Sequence, residues 1–246
     1  MKILITNDDG IQGEGLLTLA KALFKAGHTV YVVAPDCNNS AVSHKLTMRE
    51  RVQVKKCDIG GELNNAYSVG GSPADCVLIA LCALGIKPDM IFSGINDGQN
   101  TGSDTLYSGT VAGAMEGAQN SIPSIALSQR IRINMDAGEK TALYCRAAEM
   151  TVKHLNEWKN LAAEVEGILN INFPIGELKG ITLCRSVRTR YCTSYQYDEG
   201  GYLMQFNPPE PVDGDGDIPM LKSGYVTLTP LKLNLTDGET LEKWQK

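Results

Sequence analysis

The sequence predicts an α/β fold, a doubly wound and mostly parallel sheet in three αβα layers, followed by a C-terminal β-rich arm. Three observations predict it. Short, mostly apolar runs alternate with helix-period segments, the pattern of strands buried on both faces. The first strand–helix–strand unit has the short connections of a right-handed parallel crossover. After Pro174 the helical periodicity fades and short strand-like pieces take over.

Ile3 to Thr6 is a buried strand stopped by Asn-Asp-Asp-Gly. Leu16, Leu17, Leu19, Ala20 and Leu23 follow at helical spacing, with Gly27 where a C-cap belongs. Thr29 to Ala34 is the second strand, ended by Pro35-Asp36. Weak alternation across residues 46 to 57 predicts a hairpin. Ser72-Pro73-Ala74-Asp75 reads as a helix start, with Ser as N-cap and Pro at N1. Pro88 to Phe92 is the third core strand and opens into a loop from Ser93 to Tyr107. Ser108 begins a helix carrying Val111, Ala112, Met115 and Ala118. Pro123 to Leu127 is a strand, residues 138 to 158 one long helix, and Ile168 to Phe173 the last core strand. Later strands are predicted at Ile181 to Cys184, Tyr202 to Phe206 and Tyr225 to Thr229. Proline and glycine between Asn207 and Asp217 preclude regular structure there. This divides the chain into an α/β core, 1–180, and a β-rich arm, 181–246.

Composition narrows the function classes. The net charge of -5 disfavours a nucleic-acid duplex as partner, since duplex binders carry a basic surplus. Seven cysteines, an odd count with no Cys-x-x-Cys pair and no His/Cys cluster, argue against a zinc site or a disulfide framework. The chain opens directly on a strand and has no run of 18 apolar residues. A cytoplasmic protein with no membrane association is expected.

In an open parallel sheet, ligands bind beyond the carboxyl ends of the strands. Asp8 and Asp9 follow the first strand. Asp36, Asn38, Asn39 and Ser40 follow the second, and Ser93, Gly94, Asn96, Asp97 and Asn100 the third. Adjacent carboxylates repel each other, and a cation relieves this. Oxygen donors suit Mg²⁺ or Mn²⁺, whereas zinc prefers His or Cys. A helix cap and turn is the competing account of the acid pair, although a cap needs only one carboxylate. Ser108-Gly109-Thr110 opens a helix whose first turn offers N–H groups and partial positive charge to a phosphate. A plain Ser cap is the alternative there. Gly10, Gly13 and Gly15 lack the spacing of a dinucleotide fingerprint. His28 reads as a strand-start residue, His44 as a solvated loop residue and His154 as a helix-surface residue. Arg185, Arg188 and Arg190 read as a solvated strand face, with contact to a substrate phosphate or an acidic subunit surface as the alternative.

Five ordered segments carry a family likeness. They are Ile5 to Gly10; Val33 to Asp36 with Ser40; Ser93 to Asn96 with Gly98 to Gly102; Tyr107 to Val111; and Gly224 to Leu231. Together they resemble the survival protein SurE family, across nearly the whole chain. The resemblance implies a Rossmann-like core with an arm exchanged between subunits, hence a homodimer or homotetramer. It implies a metal-dependent 5'-nucleotidase acting on nucleoside monophosphates, with 3'-nucleotides and short polyphosphate as further substrates. It also implies one divalent ion per subunit, Mg²⁺ or Mn²⁺, on Asp8, Asp9, Ser40 and Asn96. Asp8 and Asp9 would be catalytic, and Asn96, Asn100, Ser108, Gly109 and Thr110 would meet the phosphate. Cys37 and Gly216 depart from the family pattern outside this shell. Two other classes remain: a zinc deacetylase, whose first strand also ends in an acid pair, and a non-catalytic nucleotide sensor.

Overall fold

A computed structural model describes residues 1–190, 194–205, 210–212 and 214–245. The core elements are β1 (Lys2–Thr6), α1 (Glu14–Lys25), β2 (Thr29–Pro35), β3 (Val54–Cys57), β4 (Ala66–Val69), α2 (Pro73–Leu78), β5 (Met90–Asp97), α3 (Gly109–Gln119), β6 (Ser124–Gln129), α4 (Ala137–Lys153), α5 (Leu155–Glu164) and β7 (Gly167–Phe173). Then come β8 (Gly180–Leu183), β9 (Thr189–Arg190), β10 (Ser194–Asp198), β11 (Gly201–Gln205), β12 (Glu210–Pro211), α6 (Asp217–Lys222), β13 (Tyr225–Lys232) and α7 (Gly238–Trp244).

The main sheet has nine strands in the order β3-β4-β2-β1-β5-β6-β7-β13-β8. From β4 to β7 every neighbour pair is parallel. The chain winds outward from β1 to β2 and β4, then returns to lay β5 on β1's other side. The crevice beyond the carboxyl ends of β1 and β5 is therefore the topological switch point, where such folds bind ligands. Strand alternation divides the core. Ile3 and Ile5 join Leu16, Leu19, Tyr144 and Trp158 on one face, and Leu4 and Ile91 join Val77 and Ala80 on the other. Helices α1, α4 and α5 cover the first face, and α2 and α3 the second.

Small residues set how closely helices approach the sheet. A Cβ at Gly113 would meet Ser93 Oγ at 2.9 Å, and one at Gly117 would meet Ser124 Oγ at 2.3 Å. Helix α3 thus lies with its backbone almost on the strands, and its N-terminus reaches the end of β1. Gly15 does the same for α1 beside β5.

Several elements differ from expectation. The predicted long helix breaks at His154, whose backbone leaves the helical region at φ -102, ψ 12. The buried stripe Leu143, Ala147, Thr151, Leu155, Trp158, Ala162 continues across the break. The periodicity was therefore readable while the change of direction, which lets α5 follow the sheet to β6 and β7, was not. His154 stacks on Trp158 rather than lying free on the surface. In the expected 46–57 hairpin only β3 is a strand, and its partner is the later β4. Strand β5 runs past Phe92 to Asp97, with a register shift between Ser93 and Asn96.

The division expected at residue 180 falls inside the main sheet. Strand β13 pairs antiparallel with β7, and β8 pairs parallel with β13. Among the described residues, the strands outside that sheet are β9 to β12. The Asn207–Asp217 stretch is not wholly irregular, because Glu210 and Pro211 pair with Arg190 and Thr189 and Asp217 opens α6. Cys192, Phe206, Asn207, Pro208, Pro209 and Asp213 lie outside the described residues. No helix among the described residues is long and apolar enough to cross a membrane.

A Cβ at Gly15 would lie 2.1 Å from the Ile95 carbonyl oxygen. Gly15→Ala is expected to lower the unfolding free energy by about 1–3 kcal/mol through overpacking. Gly238→Ala, where nothing lies within 4 Å, should change it by less than about 1 kcal/mol. Urea unfolding of both variants measures the difference.

Candidate active site

The turn after β1 is built by Asn7. Its Nδ2 donates to Gly10 O at 3.0 Å, and Gly10 N donates to Asn7 Oδ1 at 3.2 Å. Gly10 takes φ 97, which only glycine adopts without strain. This turn places Asp8 in the crevice, only 4% exposed.

The Asp8 carboxylate sits against the N-terminus of α3. Thr110 N donates to Asp8 Oδ2 at 3.1 Å, and Thr110 Oγ1 donates to Asp8 Oδ1 at 2.5 Å. The Gly109 backbone N–H also favours its charged form. A Cβ at Gly109 would fall 2.9 Å from Asp8 Cβ, so glycine is needed for this approach. The Thr110 hydroxyl also lies 3.3 Å from Asn96 Oδ1, which brings the ends of β1 and β5 together at one point. Burial outweighs these hydrogen bonds and raises the Asp8 pKa.

Asp9 turns toward Asp97, whose N–H donates to Asp9 Oδ2 at 3.1 Å. Burial, then the charge of Asp8, push the Asp9 pKa up to about 6. Lys140 from α4 pairs with Asp97 and lies 5.9 Å from the Tyr144 ring centroid. Three carboxylates thus share a single nearby ammonium. Among the described residues neither Asp8 nor Asp9 has an ion-pair partner.

The loop after β5 is pinned from below. Asn100 N donates to Asn172 Oδ1 at 2.8 Å, and the Asn170 and Asn172 side chains donate to Asn100 O at 2.9 and 3.1 Å. Asn100 Nδ2 donates to Ser128 Oγ at 2.9 Å, leaving its second amide hydrogen available. Asp217 braces the same loop from the C-terminal side. It accepts from Gly102 N at 2.8 Å, Ile218 N at 2.9 Å and Val187 N at 3.1 Å. Burial, then the charge of Asp217, push the neighbouring Asp104 up to about 6.

These elements enclose a cavity of about 510 Å³, within the range of small-molecule sites. Asp8, Ser40, Asn96, Asn100 and Ser108 line it. Asp9, Gly109 and Thr110 do not: Gly109 and Thr110 are directed at Asp8, and Asp9 at Asp97. The helix N-terminus expected to face a phosphate therefore holds the protein's own carboxylate. Ser108 caps α3 by accepting from Val111 N at 3.1 Å, which leaves its hydroxyl proton free to donate. Ala41, Asp97, Gln99, Asp104, Tyr107, Tyr195 and Met204 complete the lining, and no histidine is among them. His44 instead pairs with Glu116 at 3.0 Å. None of the three clustered arginines lines the cavity, and Arg185 Nε donates to Asp215 O.

Among the described residues no three His, Cys, Asp or Glu side chains converge on one metal position. The donor set here is Asp8 in the cavity and Asp9 beside it, neither with an ion-pair partner among the described residues, plus neutral oxygens. That set fits a hard divalent ion that keeps water ligands and disfavours zinc.

The family model for survival protein SurE matches residues 3–193. The chain belongs to this family. It is 38% identical over 245 residues to the 5'-nucleotidase SurE of Clostridium beijerinckii, covering 96% of this chain and 95% of that one. It is 39% identical over 260 residues to the 5'-nucleotidase SurE of Clostridium botulinum, covering 100% and 98%. The crystal structure of the SurE protein from Aquifex aeolicus superposes with a TM-score of 0.81 at 34% identity, over the full length of both chains.

A carboxyl whose folded pKa exceeds its unfolded value holds its proton more tightly in the folded state. Stability then falls as pH rises between the two values. For Asp9 this window runs from 3.8 to about 6. In chelator, Asp9→Asn should melt close to wild type at the bottom of the window and above it once pH exceeds 6. Thermal melts across this range test it; a constant difference would show that Asp9 does not carry the penalty.

Proposed function

We propose that this chain is a metal-dependent 5'-nucleotidase that hydrolyses nucleoside monophosphates to nucleoside and phosphate. The observation that carries this reading is the buried Asp8 carboxylate at the switch-point cavity, with no ion-pair partner among the described residues. Its full-length relatives named as 5'-nucleotidases support the substrate class. Asp8, Asp9, Ser40 and Asn96 would hold one Mg²⁺ or Mn²⁺. Such an ion, when bound, polarises the phosphoryl group and offsets its charge.

The chain's own residues supply the rest. The Ser108 hydroxyl and the free Asn100 amide hydrogen donate to phosphoryl oxygens. Asn96 and Ser40 orient the same group from the β5 and β2 sides. Asp8, held by Thr110 at the cavity wall, accepts the proton of the attacking water. Thr110 and Gly109 fix Asp8 in line. Asp9 adds negative charge behind it that favours a cation.

The same site extends to 3'-nucleotides and short polyphosphate, whose reacting group is the same. The protein works in the cytoplasm as a homodimer or homotetramer. An isolated two-stranded ribbon is marginal in water, so β10–β11 calls for a partner. Helix α7 buries no residue and exposes Trp244. The absence of histidine from the cavity lining weighs against a zinc deacetylase.

Phosphate release from 5'- and 3'-nucleotides with Mg²⁺, Mn²⁺, Zn²⁺ or chelator tests this reading. Release should require Mg²⁺ or Mn²⁺ and fall about 10²–10⁴-fold in Asp8→Asn, the range for a lost general base. The variant should fold at least as stably as wild type. Nucleotide binding without turnover under every metal would favour the sensor.

A further inference from the structure

The phosphate end of the cavity accounts for only part of its wall. Another part of the lining comes from the β10–β11 hairpin, far along the chain. Tyr195 and Met204 are direct cross-strand partners, and both line the cavity. Side chains two apart on a strand share a face, so Tyr195, Tyr197, Tyr202 and Met204 form one ribbon face. Tyr197 and Tyr202 meet edge to face at 5.4 Å further out. Tyr195 is 60% exposed and Met204 47%. An aromatic ring and a polarisable thioether are thus held open to solvent at the rim of a polar site. With Tyr107, they are the large apolar side chains among the lining residues.

We propose that Tyr195 and Met204 form the base-binding wall of this site, holding the nucleobase by stacking while its phosphate lies at Asp8 and Ser108. This rests on the nucleotidase reading for the identity of the ligand. A flat heteroaromatic ring fits such a wall, because stacking on tyrosine works for any base π-face and methionine adapts to different outlines. The wall selects for the presence of a base rather than for one base. Purines, with the larger face, bind better than pyrimidines.

The test compares adenosine 5'-monophosphate with ribose 5-phosphate, which has the same phosphate and sugar but no base. Binding of both is measured by calorimetry with Mg²⁺ in the Asp8→Asn protein, alone and with Tyr195→Ala, Tyr195→Phe or Met204→Ala added. Turnover of both is measured with Asp8 intact. The affinity ratio of nucleotide to sugar phosphate should fall at least about 5-fold with Tyr195→Ala, the lower end of a base–aromatic stack. It should fall with Met204→Ala and hold with Tyr195→Phe. A parent protein without preference for the nucleotide, an unchanged ratio in Tyr195→Ala, or equal losses in the Phe and Ala variants would overturn the base wall. A hairpin that merely shapes the cavity would weaken both ligands alike and leave the ratio unchanged. If the ratio falls as expected but wild type releases phosphate from neither compound, the base wall stands and the nucleotidase reading fails.

Discussion

The contact between the Asp8 carboxylate and the N-terminus of α3 is the constraint around which the site is arranged. A buried carboxylate with no cation beside it is costly unless hydrogen bonds satisfy its oxygens. Thr110 supplies two of these from one residue. The arrangement requires α3 to lie close to the sheet, which the glycines at 109, 113 and 117 permit. It also requires the turn after β1 to be rigid, which Asn7 and Gly10 secure. The Gly109 and Thr110 residues of α3 that read as a ligand-binding motif in the sequence thus meet Asp8, which lines the cavity.

A second set of contacts carries the C-terminal part of the chain back to the same cavity. Strand β13 continues the sheet antiparallel to β7, and α6 precedes it. This places Asp217, with no exposed surface, beneath the loop that follows β5. Its carboxylate takes backbone donors from Gly102 and Val187, which lie far apart in sequence. The cavity is therefore closed by both halves of the chain. The C-terminal segment is part of the catalytic fold as well as a candidate for subunit contacts.

Much of the fold was legible in the sequence. The largely apolar runs at Ile3–Thr6, Thr29–Ala34 and Ile168–Phe173 have one stable place in an α/β fold, the middle of a parallel sheet. The Ser72 cap appeared as read, with a reciprocal bond to Asp75. Strand β4 escaped notice because Ala66 to Val69 is too short to show a period. The insertion of β13 beside β7 was invisible because pairing between distant strands leaves no local mark. Asn170 and Asn172 were absorbed into a core strand. An amide in a run buried on both faces was the available signal that a loop had to be anchored there.

By itself the sequence determined the order of the main core elements β1, α1, β2, α2, β5, α3, β6 and β7, the acid turn after β1, and the oxygen donors gathered at the sheet edge. These depend on local periodicity, turn residues and side-chain type, all of which are written in neighbouring positions. Only the tertiary structure decided that Thr110 serves Asp8, that Asp9 turns toward Asp97, and that Tyr195 and Met204 close the cavity from the far end of the chain. Those outcomes follow from helix-to-sheet distance and long-range strand pairing, which depend on how residues remote in sequence meet in space.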